Sequence, residues 1–173
     1  MPEQPKAKPK IEDVIATLLD GDTKKNALDF IAYLRENKMT IARASGNAET
    51  KAIDGAWKAM YKGKGICRIW LSKEHWVACP YADYTQDFEA YITRENLQEV
   101  IWDNLFTCRV CNPRLCSSQA HKPEETFAGF TKTYFGREFD NICKFWDAYF
   151  VNPDARTVNC IEKMVGYTKD CVS

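Results

Sequence analysis

Apolar residues recur at helical spacing at both ends of the chain and alternate in its middle. Ile11, Val14, Ile15, Leu18 and Leu19 follow the i, i+3, i+4, i+7, i+8 order of a helix with one buried face. Gly21 suits the residue that stops it. Asp22 or Thr23 is placed to cap a second helix, with Ala27, Leu28, Ile31 and Leu34 inward and an end near Asn37. A strand is expected over 40–44, and the small, polar residues 45–55 read as a loop.

The clearest β pattern runs over 56–81. Three aromatic and β-branched runs, 56–62, 66–71 and 75–80, are separated by Gly63-Lys64-Gly65 and by Ser72-Lys73-Glu74. Short gaps of this kind predict a three-stranded antiparallel meander. Pro80 has no N–H to give a ladder, so the third strand ends there or lies at an edge. Strand alternation sets Ile69 and Trp70 on opposite faces. If Leu71 faces His75, then Cys67 faces Cys79, both on the face of Ile69 and Val77.

Beyond the meander, Thr93 is expected to cap a helix with Leu97, Val100, Ile101 and Leu105 inward. A strand is expected near 130–135, ending at Gly136. Phe139, Ile142, Cys143, Trp146 and Phe150 then fit one face of a further helix. Asn152-Pro153 marks the start of a last helix, with Ala155, Val158, Ile161, Met164 and Val165 inward. Helices flanking a central meander, with no alternating βαβ series, predict an α+β fold: an antiparallel β-meander between N-terminal and C-terminal helices. Residues 1–10 are Pro- and Lys-rich and read as a disordered tail. Residues 11–173 are expected to form a single α+β domain with a cysteine-rich loop at 106–126.

The run Trp-Lys-x-Met-Tyr-Lys-Gly-Lys-Gly-Ile-Cys from Trp57 to Cys67 lies between two helices and a third. In that order of elements, over residues 11–105, the chain resembles small uncharacterised bacterial α+β proteins. More distantly it is similar to the iron-chaperone-like domains. The resemblance implies a cytoplasmic protein that handles a metal or a small ligand. Cysteines 108–116 fall outside the shared pattern.

Composition narrows the classes. The chain carries 24 basic and 24 acidic residues and is 45% hydrophobic, a folded rather than a disordered profile. A balanced charge with no basic block past the tail argues against a nucleic-acid surface. No run approaches the roughly 18 apolar residues of a membrane span, and the first residues lack the apolar stretch of an export signal. These features point to the cytosol, where the 8 cysteines are expected to be free thiols or metal ligands.

Cys108, Cys111 and Cys116 form C-x2-C-x4-C. Thiolates three residues apart can turn toward one cation, and a third completes most of a tetrahedral shell, which suggests structural zinc. Cys143 is the first choice of fourth ligand and His121 the second. Pro113 pushes Asn112 toward extended backbone, against the tight turn of a zinc knuckle. The plainer reading is of partly buried free cysteines, with Cys143 on the apolar face of its helix. Cys171 falls in a C-terminal tail expected to fray.

Nine aromatic residues lie between Trp57 and Trp102. Trp57 and Trp70, with Tyr61 and Trp76, are expected to share a sheet face and to wall a pocket for a small planar hydrophobic ligand. Ordinary core packing under a helix is the plainer reading. The motifs G-x-S-x-G, H-E-x-x-H, G-x-x-x-x-G-K-[ST] and G-x-G-x-x-G are all missing. The sequence therefore favours a binding domain with a Cys-ligated metal, then a small-molecule-sensing or sequestering domain, and last a thiol-based enzyme.

Overall fold

The structure, a computed structural model, describes residues 9–44, 55–107, 129–143 and 146–172. Helices α1 (Ile11–Leu18) and α2 (Gly21–Glu36) lead into strand β1 (Thr40–Arg43). The meander follows as β2 (Gly55–Tyr61), β3 (Lys64–Ser72) and β4 (His75–Pro80). Helices α3 (Gln86–Arg94) and α4 (Gln98–Trp102) come next. Strands β5 (Phe130–Tyr134) and β6 (Arg137–Ile142) form a separate hairpin, and β7 (Phe150–Val151) precedes α5 (Ala155–Cys171). The main sheet is antiparallel in the order β1-β2-β3-β4-β7. This is the expected α+β fold, with helices at both ends of an antiparallel meander.

Turn chemistry sets the register of that sheet. Lys62 and Gly63 have φ of 47° and 81°, as a two-residue I′ hairpin turn requires. The β3–β4 loop is also two residues long, Lys73 and Glu74, because Ser72 pairs with His75. That is one residue shorter than the gap read from sequence, so every pairing moves by one. Cys67 lies opposite Pro80, and Cys79 opposite Arg68. Because side chains alternate, Cys67 goes with Ile69 and Leu71, while Cys79 goes with Val77 on the other face. The expected facing of Cys67 and Cys79 is therefore corrected: they sit on neighbouring strands and opposite faces.

One face of the sheet is the main core. Trp57, Ala59, Cys67, Ile69, Leu71, Trp76, Ala78 and Phe150 are buried there against α1, α2 and α5. Helix α5 contributes Val158, Ile161, Met164 and Val165, as its periodicity predicts. Burial of these side chains is the dominant stabilising term, about 25 cal/mol per Å² of apolar surface removed from water.

Four local expectations change. Asp20, rather than Asp22 or Thr23, precedes α2. The helix expected from Thr93 is only the short α4, and α3, which ends at Arg94, is a helix that the sequence pattern did not predict. Thr85 caps α3 by accepting from Phe88 N at 3.3 Å. Asn96, at φ 54°, then turns the chain into α4, where Val100 and Ile101 point inward as expected. The helix expected over 139–150 does not form. Residues 137–142 are instead a strand behind a Phe135-Gly136 turn in which both φ are positive, 53° and 74°. Finally, Asp154 caps α5 by accepting from Thr157 N at 2.8 Å, while Asn152 bonds to the sheet.

Candidate functional site

Among the described residues, the second face of the sheet is covered by irregular chain and not by a helix. Residues 104–107 pair with the stretch after β6: Cys143 N donates to Phe106 O at 2.7 Å, Phe106 N to Asp147 O at 2.9 Å, and Tyr149 N to Asn104 O at 2.9 Å. This tie lays Trp146 and Tyr149 over the sheet. The Trp70 ring meets Trp146 edge-on at 5.2 Å and Tyr149 at 5.7 Å, and Tyr149 stacks on Phe106 at 4.6 Å. Trp146 also packs on Tyr81 at 5.7 Å. Such aromatic pairs add to the burial of their area.

A cleft of about 410 Å³ opens at the edge of this cluster. Tyr81 and Trp146 form its aromatic side, Lys64 and Asp83 bring charge, and Thr168 and Cys171 close it from the end of α5. Thr168 Oγ1 lies 3.1 Å from Tyr81 O and 3.0 Å from Met164 O, which fixes helix against strand at this point. Asp147 also lines the cleft, and it accepts from Lys132 Nζ and, at 2.6 Å, from the Tyr134 hydroxyl. Burial, and after it the bond to the Asp147 carboxylate, push the Tyr134 phenol well above its ordinary range. Burial raises the Tyr81 phenol as well, and the nearby Arg68 charge pulls it back.

The four aromatics read from sequence as a pocket wall are not brought together. Trp57 and Trp76 are 2% and 1% exposed in the main core, where Trp76 packs on Phe30 at 5.8 Å. Tyr61 packs against the same core, with Lys169 Nζ 5.7 Å from its ring centre. Trp57 pairs with Ile69, whereas Trp70 pairs with Ala56, so Trp57 and Trp70 occupy opposite faces. None of the four lines the cleft. Its aromatic wall is Tyr81 and Trp146, and Trp146 falls in the stretch that helical periodicity misassigns. The one legible signal was Trp70, which alternation places away from Ile69.

Cys108, Cys111, Cys116 and His121 lie outside the described residues. Cys143 is buried, outside the main core cluster, and is close enough to Cys79 to raise its pKa, a smaller effect than burial itself. Among the described residues no group of His, Cys, Asp or Glu could hold a metal ion. Cys171 ends α5 and is exposed at the cleft, so it is helical where a frayed tail was expected. No helix among the described residues is long and apolar enough to cross a membrane. No family model matches the chain, nor does any curated protein or solved structure.

Proposed function

We propose that this protein is a small-molecule-binding domain whose ligand occupies the cleft beside Tyr81 and Trp146. The carrying observation is the cleft itself: about 410 Å³, with aromatic rings on one side and charged and hydroxyl groups around them. Small-ligand sites typically combine apolar walls with a few placed polar groups at this scale. The test is amide and indole chemical-shift mapping with a set of planar aromatic fragments. Binding should move the signals of Trp146, Thr168 and Cys171 together and saturably, and Trp146→Ala should weaken it. Fragments that bind only elsewhere, or not at all, sink the reading.

A second reading is a thiolate metal site, structural zinc, formed by Cys108, Cys111, Cys116 and Cys143. It is favoured by one observation: Thr107, which precedes Cys108, is bridged to Ile142, which precedes Cys143. Elemental mass spectrometry on protein prepared without a histidine tag should find one zinc per chain, reduced by Cys143→Ser. Metal-free protein with an unchanged fold would remove it.

A further inference from the structure

Of the three charged residues that line the cleft, one is held still. Lys64 and Asp83 are exposed, and neither side chain enters a hydrogen bond or an ion pair among the described residues. Asp147 is fixed through both backbone and side chain. Its backbone O accepts from Phe106 N at 2.9 Å, and its Oδ1 accepts from Lys132 Nζ and, at 2.6 Å, from the Tyr134 hydroxyl. Tyr134 is itself 2% exposed, with its ring against that of Tyr84 at 4.7 Å. A carboxylate whose direction is set in advance by packed groups loses little freedom when it binds.

Both of those donors go to one oxygen. No hydrogen bond reaches Asp147 Oδ2 among the described residues. Nor is Oδ2 shut away from solvent: the Asp147 side chain is 30% exposed and leaves no buried oxygen without a partner. Asp147 therefore brings to the cleft one spent oxygen and one open acceptor. Thr168, which also lines it, has its hydroxyl proton committed to Tyr81 O or Met164 O, so that its oxygen is left to accept. The polar groups that the fold fixes in this lining thus ask for a donor.

We infer that the cleft selects a small planar molecule carrying an N–H donor, a neutral amide or a charged amidinium, with Asp147 Oδ2 receiving it and Lys132 and Tyr134 holding the carboxylate in place. This rests on the small-molecule reading of the cleft and narrows it to a ligand class.

The test uses the full chain and three probes of one shape: 2-naphthamide, 2-naphthamidine and methyl 2-naphthoate, which has no donor. At least one of the two donors should bind about tenfold or more tighter than the ester, the scale of a hydrogen bond to a charged group. The same probe should shift the Asp147 side-chain carboxyl carbon along with the Trp146 indole, and the order of amide and amidine tells a neutral donor from a charged one. Asp147→Asn keeps Oδ1 for Lys132 and Tyr134 and puts an amide N–H where Oδ2 stood, so it should bring the donor probes down to the level of the ester. Tyr134→Phe should shrink the preference without abolishing it, since Lys132 still holds Oδ1. Equal binding of all three probes at the cleft, or a preference that survives Asp147→Asn, overturns the inference and leaves the cleft reading standing. If no probe moves the Trp146 signal, both fall. Should Asp147→Asn fail to fold, the wild-type preference and the carboxyl shift decide the matter without it.

Discussion

Asn152 binds Trp76 twice, through its backbone and through its side chain. Asn152 N donates to Trp76 O and Trp76 N donates to Asn152 Oδ1, both at 2.8 Å, and Asn152 Nδ2 reaches Glu74 O at 3.3 Å. The residue sits at φ 42°, a left-handed conformation that Asn tolerates better than most. It thereby supplies the partner that the edge of β4 needs where β7 has ended. Asn152→Ala should cost about 2 kcal/mol, by stranding the Trp76 N–H and straining the backbone. Asn152→Gly should cost less, because it loses only the hydrogen bonds. Urea denaturation of the two variants measures both, and wild-type stability for Asn152→Ala would contradict the account.

The Trp57 ring folds back over Gly55. A methyl group there would lie 2.1 Å from Cη2 of the indole. Gly55→Ala should therefore destabilise by about 1–3 kcal/mol, the usual range for overpacking a core. Shrinking the ring should relieve it. In a double-mutant cycle with Trp57→Leu, the Gly55→Ala penalty should fall clearly below its value in the wild-type background. Simple additivity would mean the two positions do not compete for space.

Thiol reactivity should divide by position. Cys171 is exposed, whereas Cys67, Cys79 and Cys160 are buried, and burial pushes their thiols up, Cys160 to about 12. Iodoacetamide on the native protein should alkylate Cys171 first and leave those three slow until the protein unfolds. A cleft ligand should also protect Cys171. Fast labelling of Cys67 in native protein would contradict its place in the core.

Alkaline pH should unfold the chain cooperatively. Burial raises the phenols of Tyr33, to about 12, and of Tyr84 and Tyr134 further, from an ordinary 10.0, and the thiol of Cys160 from 9.0. Each raised value means that folding favours the neutral form. That stability is complete below the unfolded values and is lost as pH climbs through 9.0 and 10.0 toward the folded ones. Tyrosinate absorbance should therefore rise together with the loss of circular dichroism. Full ionisation of the tyrosines with the fold intact would refute the burial of the Tyr84 hydroxyl.

Much of this architecture follows from short-range pattern. Gly63 and Gly136 marked real turns, and the alternation of 55–80 marked real strands, because a strand and its turn are specified within a few residues. The inward faces of α1, α2 and α5 followed from helical spacing for the same reason. Phe139, Ile142, Cys143, Trp146 and Phe150 show the limit. They have helical spacing, yet Ile142 is buried beside Phe106 and Thr107, Trp146 packs on Trp70 and Tyr81, and Phe150 joins the main core. Each is apolar because a different neighbour buries it, and spacing along the chain cannot report which.

Sequence by itself determined the α+β class, the antiparallel meander and most of the faces that α1, α2 and α5 bury, though Ala155 is exposed and α3 was not predicted. Tertiary structure alone decided which aromatics meet. A loop of two residues rather than three moved Cys79 off the face of Cys67, and the bonds of 104–106 to Cys143, Asp147 and Tyr149 laid Trp146 beside Tyr81, where the cleft opens. Those contacts join positions far apart in the chain, and what fixes them is loop length and pairing register, which no local periodicity encodes.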